Sequence, residues 1–192
     1  MCPSAAFGNR FGVGLDTLKR KLNGWVNPRA AERAMAEVSV LFVCTGNICR
    51  SPTAQGVFEH KVAQAGLGDK VFVDSAGTHG FHIGGQPDER AQRAASRRGI
   101  DLSRQRSRRI EAHDFASFDY LIGMDHDNMR ALRQVCPEAH TDKLTLFMTF
   151  VAAASVEEVP DPYYGGSRGF EHVLDLVEQA SEALLEHLRG RL

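Results

Sequence analysis

The chain has 192 residues, of which 43% are hydrophobic and 24% are charged, and its formal net charge at pH 7 is −1. This composition is typical of one globular domain with a sizeable core, and it lacks the charge excess expected of a nucleic-acid or membrane partner. No apolar stretch approaches the roughly 18 residues of a transmembrane helix, and no secretory signal is evident. Four cysteines are too few for a disulfide scaffold, so the sequence predicts a cytoplasmic protein.

The first 36 residues differ in composition from the rest of the chain. They carry six basic residues and two acidic ones, with few apolar side chains. We interpret residues 1–36 as a disordered N-terminal extension and residues 37–192 as the folded domain. Three other interpretations stay open: a true start at Met35, a basic amphipathic helix over residues 15–25 that docks on a partner or membrane, and a transit peptide.

Strand and helix signals alternate along the folded domain. Residues 38–43 form an apolar run typical of a buried strand, and a helix is predicted from Ser51 to about Gly66, with Ser51 as N-cap and Pro52 in the first turn. The elements predicted next are a strand over residues 71–73, a helix over 88–98, a strand over 118–124, a helix over 125–135, a strand over 144–147 and a last helix with an apolar stripe from Phe170 to Leu188. This alternation predicts an α/β fold: a single domain with a four-stranded parallel sheet and helices on both faces.

The junction between the first strand and the next helix carries the residues that indicate chemistry. They are Cys44, Thr45, Gly46, Asn47, Ile48, Cys49, Arg50 and Ser51. Such a loop exposes free backbone amides and the positive end of a helix dipole, so it binds anions and favours the ionised form of a thiol. Arg50 can hold two phosphoryl oxygens at once, and Ser51 can donate a hydrogen bond to the Cys44 sulfur. We therefore predict a phosphate-binding loop after the first strand, with Cys44 as its nucleophile.

The same residues allow three other interpretations of this loop: a buried structural cysteine, a nucleotide P-loop and a zinc site. A cysteine after an apolar strand is often a small buried hydrophobe, but Gly46 and Asn47 permit the close approach and left-handed backbone that a ligand loop needs. A nucleotide P-loop is excluded because Gly46 is not followed by Gly-Lys-Ser/Thr at the required interval. Zinc ligation by Cys44 and Cys49 with a Cys136–His140 pair is disfavoured because Arg50 opposes a cation, so no metal is expected.

Three separated motifs resemble one family. They are the loop from Cys44 to Pro52, Asp74-Ser75-Ala76-Gly77-Thr78, and Asp161-Pro162-Tyr163-Tyr164-Gly165. Together they are similar to the low-molecular-weight protein tyrosine phosphatases, and the likeness covers roughly residues 38–188. The resemblance implies that Cys44 is the nucleophile, Arg50 the phosphate clamp, Ser51 the donor to the thiolate and Asp161 the general acid.

The resemblance also implies supporting roles and shows one departure. Asn47 and Ser75 match positions that hold the loop in shape, and Cys49 matches a second cysteine that can capture an oxidised nucleophile as a disulfide. Phe81 matches one wall of the substrate pocket, whereas Tyr163 and Tyr164 match the opposite wall. Many relatives carry a histidine where this chain has Gln105. Glutamine cannot titrate, so the network that supports the loop is expected to differ here.

Asp161 and a run of arginines each have a functional and a structural interpretation. An aryl phosphate leaves as a phenol only when an acid protonates its oxygen, which suits Asp161, although Asp-Pro and Gly-Gly are also turn signals. The arginine run could steer phosphorylated substrates, but we favour a solvated face. Its members are Arg90, Arg93, Arg97, Arg98, Arg104, Arg106, Arg108 and Arg109.

The sequence therefore predicts an enzyme that hydrolyses phosphotyrosine through a cysteinyl-phosphate and needs no cofactor. The expected partner is a tyrosine-phosphorylated protein, with a tyrosine kinase as a further candidate, and neither nucleic acid nor membrane is expected to bind. Two alternatives stay open. One is an arsenate reductase of the same fold, for which Cys136 is the only cysteine after Cys49, and the other is a non-catalytic module that binds phosphoprotein.

Overall fold

The computed structural model describes residues 28–192. The chain divides into two compact units, residues 1–34 and Met35–Leu192. Helix α1 (Pro28–Met35) precedes the first strand in the chain. Most of the predicted disordered extension, and the amphipathic helix over residues 15–25, lie outside the described residues. Among the described helices, none combines the length and hydrophobicity of a transmembrane segment.

The second unit contains a four-stranded sheet in which neighbouring strands all run parallel. Its strands are β1 (Val38–Cys44), β2 (Val71–Gly77), β3 (Tyr120–Gly123) and β4 (Leu144–Leu146), in the spatial order β2-β1-β3-β4. All seven residues of β1 are buried. A central strand with both faces covered reads as a continuous apolar run, which is what residues 38–43 show. The predicted parallel sheet is confirmed.

Five α-helices and two short 3₁₀ helices surround this sheet within the described part of the second unit. The α-helices are α2 (Arg50–Gln64), α3 (Glu89–Arg97), α4 (Ala112–Ser117), α5 (His126–Val135) and α6 (Gly166–Arg189). The 3₁₀ helices span Glu138–Lys143 and Phe147–Phe150, on either side of β4. The sequence analysis predicted α2, α3, α5 and α6 but neither α4 nor the 3₁₀ helices.

Alternate residues of β1 enter two separate apolar clusters. Phe42 packs with Phe58 of α2 and with side chains of α3 and α6. Leu41 faces the other way, toward Phe115 of α4 and Leu132 of α5. This alternation follows from the two-residue repeat of a strand, and it confirms that helices cover both faces of the sheet.

Two predicted boundaries were wrong in an informative way. Helix α2 begins at Arg50 with Cys49 as its N-cap, and no side chain caps it, so Ser51 is not the N-cap. Strand β2 continues four residues past Val73 to Gly77, because these residues pair with Leu41 to Cys44 of β1. Pairing with a buried neighbour thus overrides the turn-like composition of this segment. Both differences lie beside Cys44, at the carboxyl ends of the strands.

Candidate active site

Cys44 and Arg50 stand at the two ends of a curled loop. Cys44 is the last residue of β1 and Arg50 is the first residue of α2. Asn47, in the middle, has a left-handed backbone with φ of 53°, which asparagine tolerates better than most residues. The backbone amides of Thr78 and His79 donate to the carbonyls of Cys44 and Thr45 over 2.8 and 2.9 Å. The loop is therefore held by the chain that follows β2.

Gly77 is required for this close packing. A Cβ built on Gly77 would lie 2.9 Å from the carbonyl oxygens of Thr45 and His79 and 3.2 Å from the amide nitrogen of Asn47. Real Cβ atoms do not approach backbone oxygens so closely. A side chain at this position would displace the loop, so glycine here is needed for space.

The Cys44 thiol is buried and has a defined hydrogen-bond donor. The Ser51 hydroxyl lies 3.0 Å from Cys44 Sγ, and Asn47 Nδ2 donates to the same hydroxyl over 2.9 Å. Because Ser51 Oγ accepts from Asn47, its own proton is directed to the sulfur or, over 3.3 Å, to the carbonyl of Ala76. Ser51 thus presents a hydrogen-bond donor to the Cys44 sulfur.

Arg50 is almost completely buried and is surrounded by acceptors. One terminal nitrogen, Nη1, bonds to Asp125 and to the carbonyl of Val159, and the other, Nη2, reaches Thr45 Oγ1 at 3.3 Å and Asp161 Oδ2 at 3.2 Å. Burial alone would lower the pKa of Arg50, but the charge of Cys44 and the carboxylates of Asp125 and Asp161 outweigh it and raise the pKa above its usual value. The guanidinium therefore stays charged beside the thiol.

The second cysteine of the loop behaves differently. Burial, followed by the negative charges of Asp88, Cys44 and Asp161, raises the pKa of Cys49 to about 12. Cys49 is therefore a neutral thiol at neutral pH, even though it lies in the same loop as Cys44. Cys49 is therefore not a candidate nucleophile, since the thiolate is the reactive form.

A polar network behind the loop holds Asn47 in place. Asn47 Nδ2 donates to Ser75 Oγ over 2.9 Å, and Ser75 Oγ donates to Gln55 Oε1 over 2.7 Å. The amide of Arg108 donates to Asn47 Oδ1 over 2.9 Å, and the Ser107 hydroxyl donates to the carbonyl of Gly46 over 3.0 Å. Asn47 and Ser75 were predicted from the sequence to support the loop, whereas the same role of Gln55, Ser107 and Arg108 was not.

Gln105 supports the loop indirectly. Its Nε2 donates to the carbonyl of Pro52 in the first turn of α2 over 3.0 Å. Its Oε1 is buried and has no hydrogen-bond partner within residues 28–192. Gln105 therefore supports the helix whose first residue is Arg50. The Oδ1 of Asn47 accepts its hydrogen bond from the backbone amide of Arg108 instead.

Asp161 lies at the cleft and touches Arg50. Its Oδ1 accepts from the amide of Tyr163 over 3.0 Å, an Asx turn that fixes the carboxylate. Its Oδ2 faces Arg50, and the side chain is 53% exposed. Asp161 thus combines a fixed position with access to a bound molecule, which is the requirement for a proton donor.

An open cleft of about 240 Å³ lies over the loop. It is lined by Cys44, Thr45, Gly46, Ile48, Cys49, Arg50, Phe81, His82, Asp161, Tyr163 and Tyr164. The Phe81 ring stacks on that of His79 with centroids 5.1 Å apart, whereas the rings of Tyr163 and Tyr164 meet at 82°. The structure therefore brings every pocket residue that the sequence analysis named to one cleft, together with His82, which it did not name.

Asp125 and Asn128 are further residues that the sequence analysis missed. Asp125 is the N-cap of α5, bonds to the amide of Asn128 and ion-pairs with Arg50. Asn128 Nδ2 donates to Thr45 Oγ1 over 3.2 Å. The N-cap signal before α5 was visible in the sequence, but nothing in it indicated a contact with an arginine 75 residues away.

Zinc ligation is not supported by the geometry. Cys136 follows the last residue of α5, whereas Asp125 at its start contacts Arg50, so about 15 Å of helix separates Cys136 from the loop. Within residues 28–192, no group of three His, Cys, Asp or Glu side chains is arranged to hold a metal ion. Cys44, Cys49, Cys136 and His140 are therefore not brought together.

Comparisons with known proteins agree with this site. The family model for low molecular weight phosphotyrosine protein phosphatases matches residues 39–191. This chain belongs to that family. A low molecular weight protein-tyrosine-phosphatase of Streptomyces coelicolor is 42% identical over 156 residues, which are 80% of this chain and 94% of the relative.

Solved structures of the phosphatase family share the fold. The crystal structure of YfkJ from Bacillus subtilis has a TM-score of 0.78 and 38% sequence identity with this chain. The match covers 81% of this chain and 97% of the YfkJ chain. A second structure is that of the protein tyrosine phosphatase of Entamoeba histolytica, crystallised with Hepes in its active site. It has a TM-score of 0.77 and 41% sequence identity with this chain, and the match covers 81% of this chain and 99% of the Entamoeba chain. The likeness thus extends over the whole of these relatives.

Proposed function

We propose that this chain hydrolyses phosphotyrosine in proteins, with Cys44 as nucleophile, Arg50 as phosphate clamp and Asp161 as general acid. The observation that carries the proposal is the position of Arg50. Its guanidinium is fixed between the curled loop and Asp161, in the cleft that Cys44 lines. A cation, a thiol and a carboxylic acid on one cleft are the groups that phosphate transfer to sulfur requires.

The first half of the reaction transfers the phosphoryl group to sulfur. The amides of the loop and Arg50 bind the three non-bridging oxygens, and the Cys44 thiolate attacks phosphorus on the side opposite the tyrosine oxygen. As the S–P bond forms, the P–O bond to tyrosine breaks. Asp161 gives its proton to the leaving oxygen, so that tyrosine departs as a neutral phenol.

The second half releases phosphate. Water attacks the phosphorus of the cysteinyl-phosphate while Asp161, now a carboxylate, accepts one of its protons. The S–P bond breaks and the electron pair returns to Cys44. The Ser51 hydroxyl stabilises the departing thiolate by the 3.0 Å hydrogen bond described above.

The aromatic residues at the mouth favour an aryl substrate. Phe81 is 73% exposed and Tyr164 is 96% exposed, so both are large apolar side chains presented to solvent beside the cleft. Tyr163, 41% exposed, lies next to them. Aromatic rings at the mouth of a cleft suit the flat ring of phosphotyrosine better than the short chain of phosphoserine. A tyrosine-phosphorylated protein, such as a tyrosine kinase, is the proposed partner.

The proposal extends to the domain boundaries and the location of the chain. Residues 37–192 form the phosphatase domain and residues 1–36 an extension. The thiolate requires a reducing environment, which supports a cytoplasmic location. No cofactor or metal takes part in the steps above.

Two rival functions receive less support. An arsenate reductase needs further cysteines on a mobile segment to complete a thiol relay, but Cys136, the only cysteine after Cys49, is separated from the loop by the length of α5. A binding module without turnover would not need a carboxylic acid held beside the clamp, yet Asp161 is fixed there by two hydrogen bonds. Neither rival function predicts hydrolysis of an aryl phosphate that persists when a chelator is present.

The test is a metal-free assay with an aryl phosphate on the full chain. We expect turnover that a chelator does not affect, that Cys44→Ser abolishes, and that Cys136→Ser leaves unchanged as the matched control. Arg50→Ala should also abolish turnover. The two variants should differ in their binding of inorganic phosphate: Arg50→Ala should lose it, whereas Cys44→Ser should keep it because its loop amides and Arg50 remain. Turnover that survives in Cys44→Ser would contradict the proposal.

A further inference from the structure

The run of arginines that begins at Arg90 separates into two groups in the structure. Five of its members pair with carboxylates, and these are Arg90, Arg93, Arg97, Arg98 and Arg108. For the other three, Arg104, Arg106 and Arg109, no carboxylate of residues 28–192 forms an ion pair. Carboxylates therefore neutralise the first group, whereas the other three arginines are exposed to solvent, as the interpretation of the run as a solvated face expects.

Arg109 lies close to the nucleophile across the sheet. In the register of β1 and β2, Cys44 pairs with Gly77, and a further parallel bridge pairs Gly77 with Arg109. Neighbouring strands are about 4.8 Å apart, so the Cα atom of Arg109 is about 10 Å from that of Cys44. An arginine side chain can span much of the remaining distance to a molecule bound over Cys44.

The side chain of Arg109 points away from the core. Arg108 reaches Asp74 and Asp114 behind the loop, and successive side chains of extended backbone point to opposite sides. Arg109 is accordingly exposed. A Cβ built on Gly80 would lie 3.9 Å from Arg109 Cδ, so the aliphatic part of the arginine runs along the segment that presents Phe81 to the cleft.

Two backbone hydrogen bonds hold this segment against Ser107. The amide of Gly84 donates to the carbonyl of Ser107, and the amide of Ser107 donates to the carbonyl of Gly85, each over 2.8 Å. His82, on the cleft side of the same segment, packs over the loop, because a Cβ on Gly46 would lie 3.1 Å from His82 Cδ2. No carboxylate of the described chain pairs with the His82 ring.

We propose that Arg109 and His82 form a rim site that binds the carboxylate of an acidic residue next to the phosphotyrosine of a protein substrate. The rim site rests on the proposed function, since it selects among phosphotyrosine peptides. The nearby acids do not oppose it, because Asp88 is held by Arg90 and Asp161 by Arg50. A free guanidinium beside the pocket therefore favours acidic sequences and disfavours basic ones.

The expected effect is modest because the site is open to solvent. An exposed ion pair contributes little in water, so one glutamate should raise kcat/KM about threefold over glutamine at low salt. The same preference should weaken as salt is added, because the Debye length falls from about 10 Å at 0.1 M to about 3 Å at 1 M.

The experiment compares two phosphotyrosine peptides that differ only in glutamate or glutamine on both sides of the phosphotyrosine. We expect the native chain to prefer the glutamate peptide about threefold in kcat/KM at low salt. Arg109→Gln should lose the preference while its turnover of a small aryl phosphate stays unchanged. Arg133→Gln, an exposed arginine at the far end of α5, is the matched control and should keep the preference.

The outcomes separate the rim site from the proposed function. Normal turnover of the aryl phosphate with equal kcat/KM for the two peptides would overturn the rim site alone. An undiminished preference in Arg109→Gln would overturn it as well. Absence of aryl phosphate turnover by the native chain would overturn the proposed function and, with it, the rim site.

Discussion

Ser51 donates its hydroxyl proton to the sulfur of Cys44 over 3.0 Å while it accepts a hydrogen bond from Asn47 over 2.9 Å. The hydroxyl is therefore oriented before substrate arrives. This pair links the network behind the loop to the reacting atom. Asn47 therefore acts on the Cys44 thiol through the Ser51 hydroxyl.

Ser51→Ala should reduce both the formation and the release of the thiolate. A hydrogen bond to a charged group is worth about 1.5–3 kcal/mol, so we expect a loss of about 10- to 100-fold in kcat with a smaller change in KM. The rate at which iodoacetate alkylates Cys44 at pH 6 should fall in the same variant. Ser181→Ala, which removes a buried hydroxyl on α6, is the control. Unchanged alkylation in Ser51→Ala would contradict the role of the hydroxyl.

Asp161→Asn should slow the enzyme most on poor leaving groups. General acid catalysis contributes about 10²- to 10⁴-fold, and a strongly acidic phenol leaves without that help. We expect a large loss of kcat on phenyl phosphate and a small one on p-nitrophenyl phosphate. Phosphate binding should not weaken, because the change removes a carboxylate from Arg50. An equal loss on both substrates would remove Asp161 from the acid role.

Cys49→Ala should make oxidative inactivation permanent. A thiolate in the floor of an open cleft is readily oxidised by peroxide, and a neighbouring thiol can capture the sulfenic acid as a disulfide that a dithiol reduces. We expect normal turnover by Cys49→Ala under reducing conditions but no recovery after peroxide, whereas the native chain recovers. Mass spectrometry of the oxidised native chain should find Cys44 joined to Cys49. If the variant recovers as fully as the native chain, the protective role is wrong.

The same cysteine should make the fold sensitive to alkali. Burial raises the pKa of Cys49 from 9.0 to about 12 in the folded chain. Between these values the unfolded chain loses the proton and the folded chain keeps it, so stability falls as the pH rises through this window and is unaffected below it. Urea denaturation at pH 7.5 and pH 10.5 should show a larger loss for the native chain than for Cys49→Ala. Equal losses would show that Cys49 does not contribute.

Thr45 and Asn128 should act on Arg50 as one unit. Asn128 Nδ2 reaches Thr45 Oγ1, which in turn contacts Arg50 Nη2. Removing one such bond with Thr45→Val should weaken inorganic phosphate binding about fivefold, and Thr45→Ser should restore it. Residues in one network are not additive, so Asn128→Ala should add little to Thr45→Val. Fully additive losses would show that the two side chains act separately.

The parts of this protein that were predictable from sequence depend on local patterns. The apolar run of β1 and the alternation of strands and helices predicted the parallel sheet, because burial on both faces leaves a continuous apolar signal. Cys44 and Arg50 are six residues apart in one loop, so their partnership could be inferred from spacing. Asp161 was named because its own motif is local, although its contact with Arg50 spans 111 residues.

The missed features depend on contacts that no local pattern encodes. Helix α4 has only six residues, and its start is fixed by reciprocal hydrogen bonds between Glu111 and Asp114. Asp125 entered the prediction only as the first residue of a helix, and its ion pair with Arg50 follows from the position of α5 in the fold. The N-cap role predicted for Ser51 was wrong for the same reason, whereas the hydrogen bond predicted from its hydroxyl to the Cys44 sulfur is present.

The position of α6 in the chain sets the order of events during synthesis. This helix is the last element, yet Phe170, Val177 and Leu184 complete the same apolar cluster as Phe42 of β1. A nascent chain that still lacks residues 166–189 covers this face of the sheet with α2 and α3, so the apolar cluster around Phe42 stays incomplete on the ribosome. The domain therefore completes its fold only after the C-terminal helix has emerged from the exit tunnel, and the phosphate-binding loop at the start of α2 gains its final support at that moment.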